Sequence, residues 1–263
     1  MRTFILPPEF NGEHEFKLSA KDTHYLTRVL RMKEGSAFAG RDRKGNGWNL
    51  SIILHKQDVC IIGCQQAGPS FTSALEALPA YNLKLREIHV YIGLCKGKKF
   101  DQIIRQATEI GATRIVPLET EHAVVTLAEK DLSSVHAKTA RWNTIVKEAL
   151  QQCGSQVPTE ISTPMAIDGM ISEWGNKGPV LVFHEAPIAR QTPLFEVLHN
   201  LPPSLPIALV IGPEGGFSPN EIDRFMSQGF NSILLKTNIL RSETAAIYAL
   251  SVVQSYLEEF RDE

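Results

Sequence analysis

Long apolar runs are missing from this chain of 263 residues. None approaches the roughly 20 residues that a membrane-spanning helix needs. The opening stretch MRTFILPPEF carries an apolar patch, but Pro7-Pro8 cuts it short, so it lacks the form of a secretory leader. Cysteine is scarce: there are four, at 60, 64, 95 and 153, with no metal-ligand spacing. Cys60 and Cys64 share one face of an expected strand and read as small buried side chains, which fits a reducing cytoplasm. No cluster of His, Cys and carboxylates stands at metal spacing, so no metal is expected. An excess of one charge is missing too: 27 Lys/Arg stand against 29 Asp/Glu, and a net charge of −2 by itself announces no nucleic-acid partner. The nucleotide signatures are absent. No Gly-Lys-Ser/Thr follows the glycine-rich loop at 212–216, and no G-x-G-x-x-G opens a helix. Nothing therefore points to a P-loop, a nicotinamide or a flavin. There is no internal repeat and no low-complexity segment.

What is present falls into two patterns. Residues 1–72 read as a small β-rich domain, with strands expected at Ala37–Gly40, Trp48–Leu54 and Asp58–Cys64. Lys44-Gly45-Asn46-Gly47 marks a hairpin turn, and Ser19–Leu30 reads as a short helix. This segment holds ten Lys/Arg against seven Asp/Glu, whereas the rest holds 17 against 22. A mildly basic module suits phosphate contact, and equally an ordinary solvated surface. The stretch 65–83, with Gly68-Pro69 and Pro79, reads as a linker. From residue 73 to 263 a second domain is expected. Strands at Ile88–Leu94, Arg114–Leu118, Val180–Phe183 and Ile207–Ile211 alternate with helices at Phe100–Ile110, Leu132–Cys153 and Ser242–Phe260. That alternation is the signature of an α/β fold with a mostly parallel sheet and helices on both faces.

Two strand–loop–helix units near the C-terminus carry the most information. Ile207–Ile211 breaks into Gly212-Pro213-Glu214-Gly215-Gly216, and Ser218-Pro219-Asn220-Glu221 then starts a helix with Ser as cap, Pro next and Glu three residues on. Ser232–Leu235 leads into Thr237-Asn238-Ile239-Leu240-Arg241 and another helix. Ligands in open α/β sheets gather at the carboxyl ends of strands. Gly215-Gly216 permit positive φ and close backbone approach, as a purine edge would need, and a tight turn before a capped helix would need the same.

GPEGGFSPNEI and ILRSETA together resemble the RsmE-type 16S ribosomal RNA uridine-N3 methyltransferases of the SPOUT superfamily. So do HYLTRVLR at His24–Arg31, Lys96-Gly97-Lys98 with Ile103–Gly111, Ile115–Leu118 and Arg141-Trp142, so the likeness runs over nearly the whole chain. The chain departs from the family pattern at Gln106, at His122-Ala123 and at Gln151–Ser155. The resemblance implies an N-terminal PUA-like barrel, a trefoil-knotted C-terminal domain, and a homodimer whose partner completes each site. It also implies S-adenosylmethionine as methyl donor. The donor would sit among Val182, Phe183, His184 and Glu185, among Ile211, Gly212, Pro213, Gly215 and Gly216, and among Leu235, Asn238, Ile239, Leu240 and Ala245.

The substrate so implied sets the chemistry. Uracil N3 carries a proton, so its methylation needs a proton acceptor and a cation for the anion that forms. Arg241 is the candidate cation, with a loop-holding salt bridge as its other reading. Glu214 or Glu243 is the candidate acceptor if burial raises its proton affinity. Either carboxylate is otherwise structural, Glu243 at a helix N-terminus especially. For RNA contact the candidates are Arg2, then His24, Arg28 and Arg31 as one helical stripe, then Lys96, Lys98 and Lys99 at the sheet edge. His184 reads as shaping the donor pocket. An RNA-binding protein without catalysis and a ribose 2′-O-methyltransferase are the competing readings. The second lacks an N-x-G-x-x-x-R element. The expected partner is 16S ribosomal RNA, in an assembled or assembling small subunit.

Overall fold

Residues 3–56, 59–67, 86–123, 132–155, 158–185, 191–202 and 204–260 are described by the computed structural model. The chain forms two units, residues 1–83 with 150–158, and residues 84–149 with 159–263. The segment expected to link them lies largely outside the described residues, as does Arg2.

In the first unit, β1 (Phe4–Ile5), β2 (Glu15–Lys17), β3 (Ala37–Arg41), β4 (Gly47–Lys56) and β5 (Val59–Gln66) form one sheet in the order β1-β3-β4-β5-β2. Only β1 and β3 run parallel. Alternation sends Trp48, Leu50 and Ile52 of β4 and Cys60, Ile62 and Cys64 of β5 into one core. Burial lifts the Cys64 thiol to about 11, so it is a neutral packing group. Asp42 organises the β3–β4 turn. Its carboxylate accepts from the Lys44 and Asn46 amides at 2.8 and 2.9 Å and from the Trp48 indole at 3.2 Å. Burial alone would raise its proton affinity, but these donors outweigh it and hold the group below its usual range.

The helix expected at Ser19–Leu30 is only partly α-helical. Helix α1 covers only Ala20–His24, capped by Ser19, and the next turn, Tyr25–Val29, is π-helical, with the Leu30 amide reaching back to the Tyr25 carbonyl. Arg31 then leaves the helix at φ 55°. The wider turn changes the 100° step between His24 and Arg28, and the left-handed residue takes Arg31 off the helix. All three are exposed, His24 at the end of α1, Arg28 in the π turn that continues it and Arg31 just beyond.

The second unit holds β6 (Ile88–Gly93), α2 (Lys99–Ile110), β7 (Arg114–Glu119), β8 (Glu160–Ile161), β9 (Met165–Ala166), α4 (Ile167–Trp174), β10 (Val180–Phe183), α5 (Leu194–His199), β11 (Ile207–Ile211), α6 (Pro219–Ser227), β12 (Asn231–Ile233) and α7 (Ser242–Glu259). Helix α3, Leu132–Cys153, runs from this unit into the first. The sheet order is β12-β10-β11-β6-β7-β8, with β9 also on β7, and every pairing is parallel. All residues of β6, β10 and β11 are buried, as a sheet covered on both faces requires. Tyr91, Val182 and Val210 point to one side, against Trp174 of α4 and Phe225 of α6. Helix α7 packs on β6 and β11 and against α2. Ser218 and Glu221 of α6 form the reciprocal cap read from the sequence. No helix among the described residues is long and apolar enough to cross a membrane.

Trp174 ties the lower core together. It is fully buried, donates its indole N–H to the Gly178 carbonyl at 2.8 Å, and meets Tyr91 edge-on with centroids 6.1 Å apart. Trp174→Ala is expected to cost about 3–5 kcal/mol, the usual scale for emptying a buried aromatic site. A urea denaturation midpoint close to that of the wild type would show that the surrounding core closes over the gap.

Candidate functional site

Because β12, β10 and β11 are neighbours and parallel, their carboxyl ends open on one side of the sheet. A cavity of about 440 Å³ lies there, within the range of small-molecule sites. Three loops build it. Phe183 ends β10 and His184 and Glu185 follow it, Gly212–Glu214 and Gly216 follow β11, and Leu234, Leu235 and Thr237–Arg241 follow β12. Ser242 and Ala245 of α7 and Lys99 of α2 complete the wall.

Of the expected donor contacts, the wall contains Phe183, His184, Glu185, Ile211, Gly212, Pro213, Gly216, Leu235, Asn238, Ile239, Leu240 and Ala245. Val182 and Gly215 are not part of it. Val182 belongs to the α4–α6 side of the core, because strand alternation turns it away from the loops. Gly215 faces His122: a Cβ there would stand 2.9 Å from the His122 Cβ, and the His122 imidazole donates to the Gly215 carbonyl at 3.0 Å. Only Gly216 of the pair takes positive φ, 67°, closing a turn in which its amide donates to the Pro213 carbonyl at 2.9 Å.

Strand β12 stops at Ile233, two residues before the end read from the sequence, which frees Leu234 and Leu235 for the cavity. Phe217, Thr237 and Ser242 also line it. As an apolar residue beside a turn, one hydroxyl in a loop and one at the start of α7, they carried no signal of their own. The His184 amide donates to the Ile233 carbonyl at 3.1 Å and locks the ends of β10 and β12 together. Burial lowers the basicity of its imidazole, against the pull of Glu185, so His184 is a neutral wall group.

Charges gather where α2, the β11 loop and α7 meet. The Lys99 ammonium stands 3.1 Å from Glu214 Oε1 and 3.6 Å from Glu243 Oε2. Glu214 Oε1 also accepts the Lys96 amide at 3.2 Å. Burial works to raise the proton affinity of Glu214, but its own amide, Lys99 and the Lys96 amide prevail and hold the carboxyl low. The burial-raised acid expected from the sequence is therefore not what the fold makes of Glu214. The Ser242 hydroxyl stands 3.4 Å from Glu243 Oε2 and 3.3 Å from the Cys95 sulfur. Burial lifts the Cys95 thiol to about 11, leaving it neutral.

Arg241 occupies the N-cap position of α7, exposed at the cavity wall. Among the described residues no carboxylate pairs with it, so the expected loop-holding salt bridge is not seen there. Lys96 and Lys98 are exposed beside the site, whereas Lys99 is turned into it. Among the described residues no three His, Cys, Asp or Glu side chains come together as a metal site.

Residues 82–254 match a family described as an RNA methyltransferase domain. The chain is 30% identical, over 97% of its length and 77% of the relative's, to Ribosomal RNA small subunit methyltransferase E of Synechocystis. It is 28% identical to the Bacillus subtilis protein of the same name, covering 94% of this chain and 92% of that one. Among solved structures it superposes on a Legionella pneumophila protein determined with the cofactor SAM bound, with a TM-score of 0.79 and 27% identity over 97% of this chain and 98% of the other. A family match that spans the parallel sheet, with relatives alike over almost the full chain, decides the assignment: this chain belongs to the RsmE-type RNA methyltransferases.

Proposed function

We propose that this protein methylates N3 of a uridine in 16S ribosomal RNA of the small subunit, with S-adenosylmethionine as donor. The observation that carries the reading is the cavity at the ends of β10, β11 and β12, which joins an apolar, backbone-rich wall to an exposed arginine that pairs with no carboxylate among the described residues. Residues and group fit. Gly216 and Gly212 leave backbone accessible for a purine edge, while Ile211, Leu235, Leu240 and Ala245 supply apolar surface. The donor, when bound, supplies a methyl group on a positively charged sulfur. The chain supplies the rest. Arg241 stabilises the uracil anion, and Glu243 receives the N3 proton, Glu214 being committed to Lys99 and the Lys96 amide.

The names of the relatives support ribosomal RNA as substrate, and a cytoplasmic location goes with it. Exposed His24, Arg28, Arg31, Lys96 and Lys98 are the proposed phosphate contacts, with Arg2 as a further candidate outside the described residues. A threaded C-terminus is part of the reading. In its favour, the chain leaves β12 at the sheet edge and returns as α7 over β11 and β6. So is a homodimer, favoured by the exposed apolar surface of Tyr248 on α7, of Phe260 at its C-cap and of Phe195, whose ring packs on Tyr256.

The test is to incubate purified protein with isotopically labelled S-adenosylmethionine and small subunits lacking the modification, then to identify the product by nucleoside mass spectrometry. Labelled N3-methyluridine is expected. A ribose-methylated nucleoside would assign the activity to the sugar, and RNA binding without label would leave a binding protein.

A further inference from the structure

One lysine of a cluster of three is turned into the cavity. Lys96, Lys98 and Lys99 stand together in the sequence, yet their surroundings differ. Lys96 and Lys98 are exposed. The Lys99 side chain is only 35% exposed, and its ammonium lies between two carboxylates, 3.1 Å from Glu214 and 3.6 Å from Glu243. These three side chains come from three segments: the start of α2, the β11 loop and the first turn of α7. Glu214 is committed on the same oxygen to Lys99 and the Lys96 amide. Glu243 has fewer ties, a longer approach to Lys99 and one hydroxyl at 3.4 Å. A lysine already paired with two anions has little attraction left for a phosphate. Without it, the Glu214 and Glu243 carboxylates would lose the cation they share.

We propose that Lys99 is a positioning residue of the methyl-transfer step rather than a grip on RNA: anchored by Glu214, its ammonium holds the Glu243 carboxylate where it receives the uracil proton. This rests on the methyl-transfer reading above. In the step it serves, the N3–H bond breaks and the proton goes to a Glu243 oxygen, while the electron pair stays on N3. That pair forms the bond to the methyl carbon as the carbon–sulfur bond breaks onto sulfur. The proton afterwards leaves Glu243 to water.

The experiment compares Lys99→Met and Lys99→Arg with the wild type, using labelled S-adenosylmethionine and unmodified small subunits. Lys99→Met is expected to lower kcat about 10- to 100-fold, the lower part of the range for general-base catalysis, with KM for both substrates changed less than about twofold. Lys99→Arg, which keeps the cation, is expected to recover most of the rate. On a Glu243→Gln background Lys99→Met should cost almost nothing more, since residues acting through one another are not additive. Should Lys99→Met fold poorly, Lys99→Gln serves for the same measurement. A raised KM for RNA with a flatter salt dependence and unchanged kcat would mark Lys99 as a phosphate contact and overturn the proposal. So would additive losses in the double variant. Wild-type protein that transfers no methyl group overturns the methyl-transfer reading together with the proposal; an active wild type with a normal Lys99→Met overturns the proposal alone.

Discussion

Arg241→Ala is expected to lose methyl transfer by about 100- to 1,000-fold, the scale on which one preorganised donor to a developing anion acts, while the protein stays folded. The two halves of that expectation have separate origins. Arg241 holds the N-cap position of α7 through its backbone alone: its carbonyl accepts the Ala245 amide at 2.8 Å, and its side chain makes no capping bond. Among the described residues it also has no carboxylate partner, so removing the guanidinium leaves no buried charge behind. Exposed substitutions of that kind usually move stability by no more than about 0.5 kcal/mol. The cation nevertheless lines the cavity two positions before Glu243, and neighbouring Lys99 is already neutralised by two glutamates. Arg241 is thus the positive group at the site with charge to spare. Single-turnover methyl transfer, thermal unfolding and light scattering check it together. Near-normal turnover would remove the electrostatic role, and an unfolded variant would mean that the side chain serves the loop.

Gly93→Ala is expected to weaken S-adenosylmethionine binding about 10- to 100-fold, corresponding to the roughly 1–3 kcal/mol that overpacking a tight contact costs. Gly93 is the last residue of β6, beside β11 in the sheet. A Cβ built on it would stand 2.4 Å from Pro213 Cδ and 2.5 Å from Pro213 N. The obstacle is backbone and a rigid ring, so no side chain can turn aside to make room. The loop that must give way carries Gly212, Pro213, Glu214 and Gly216 into the cavity. Gly169→Ala in α4 is the control, because its new methyl would meet only the Met165 Cβ at an ordinary 3.7 Å. Calorimetric affinities equal for wild type and Gly93→Ala would show that the β11 loop does not hold the donor.

The place of the site was legible because it depends on local chemistry. Ser218, Pro219 and Glu221 announce the start of α6 within one turn, and the structure forms that cap bond for bond. Runs such as Ile207–Ile211 cannot be solvated, so their burial in a parallel sheet follows from composition. The order of strand, glycine loop and capped helix then puts the cavity at the carboxyl ends. The short pieces were not legible. β8 and β9 have two residues each and show no period, and α4 and α5 are too brief for an amphipathic face to stand out. The π turn at Tyr25–Val29 likewise has no periodic signature.

By itself, then, the sequence determined the class of fold, the two loops at the strand ends and the capped helix that follows the first of them. These follow from hydrophobic pattern, capping and glycine chemistry, all acting over a few residues. Tertiary structure decided how those residues are used. It turned Lys99 from its exposed neighbours toward Glu214 and Glu243, more than a hundred positions away in the chain. It set Gly215 against His122 rather than the cavity, and it made Gly93 the close neighbour of Pro213. Such pairings depend on which strands lie side by side, and strand order is a property of the whole sheet that no local pattern encodes.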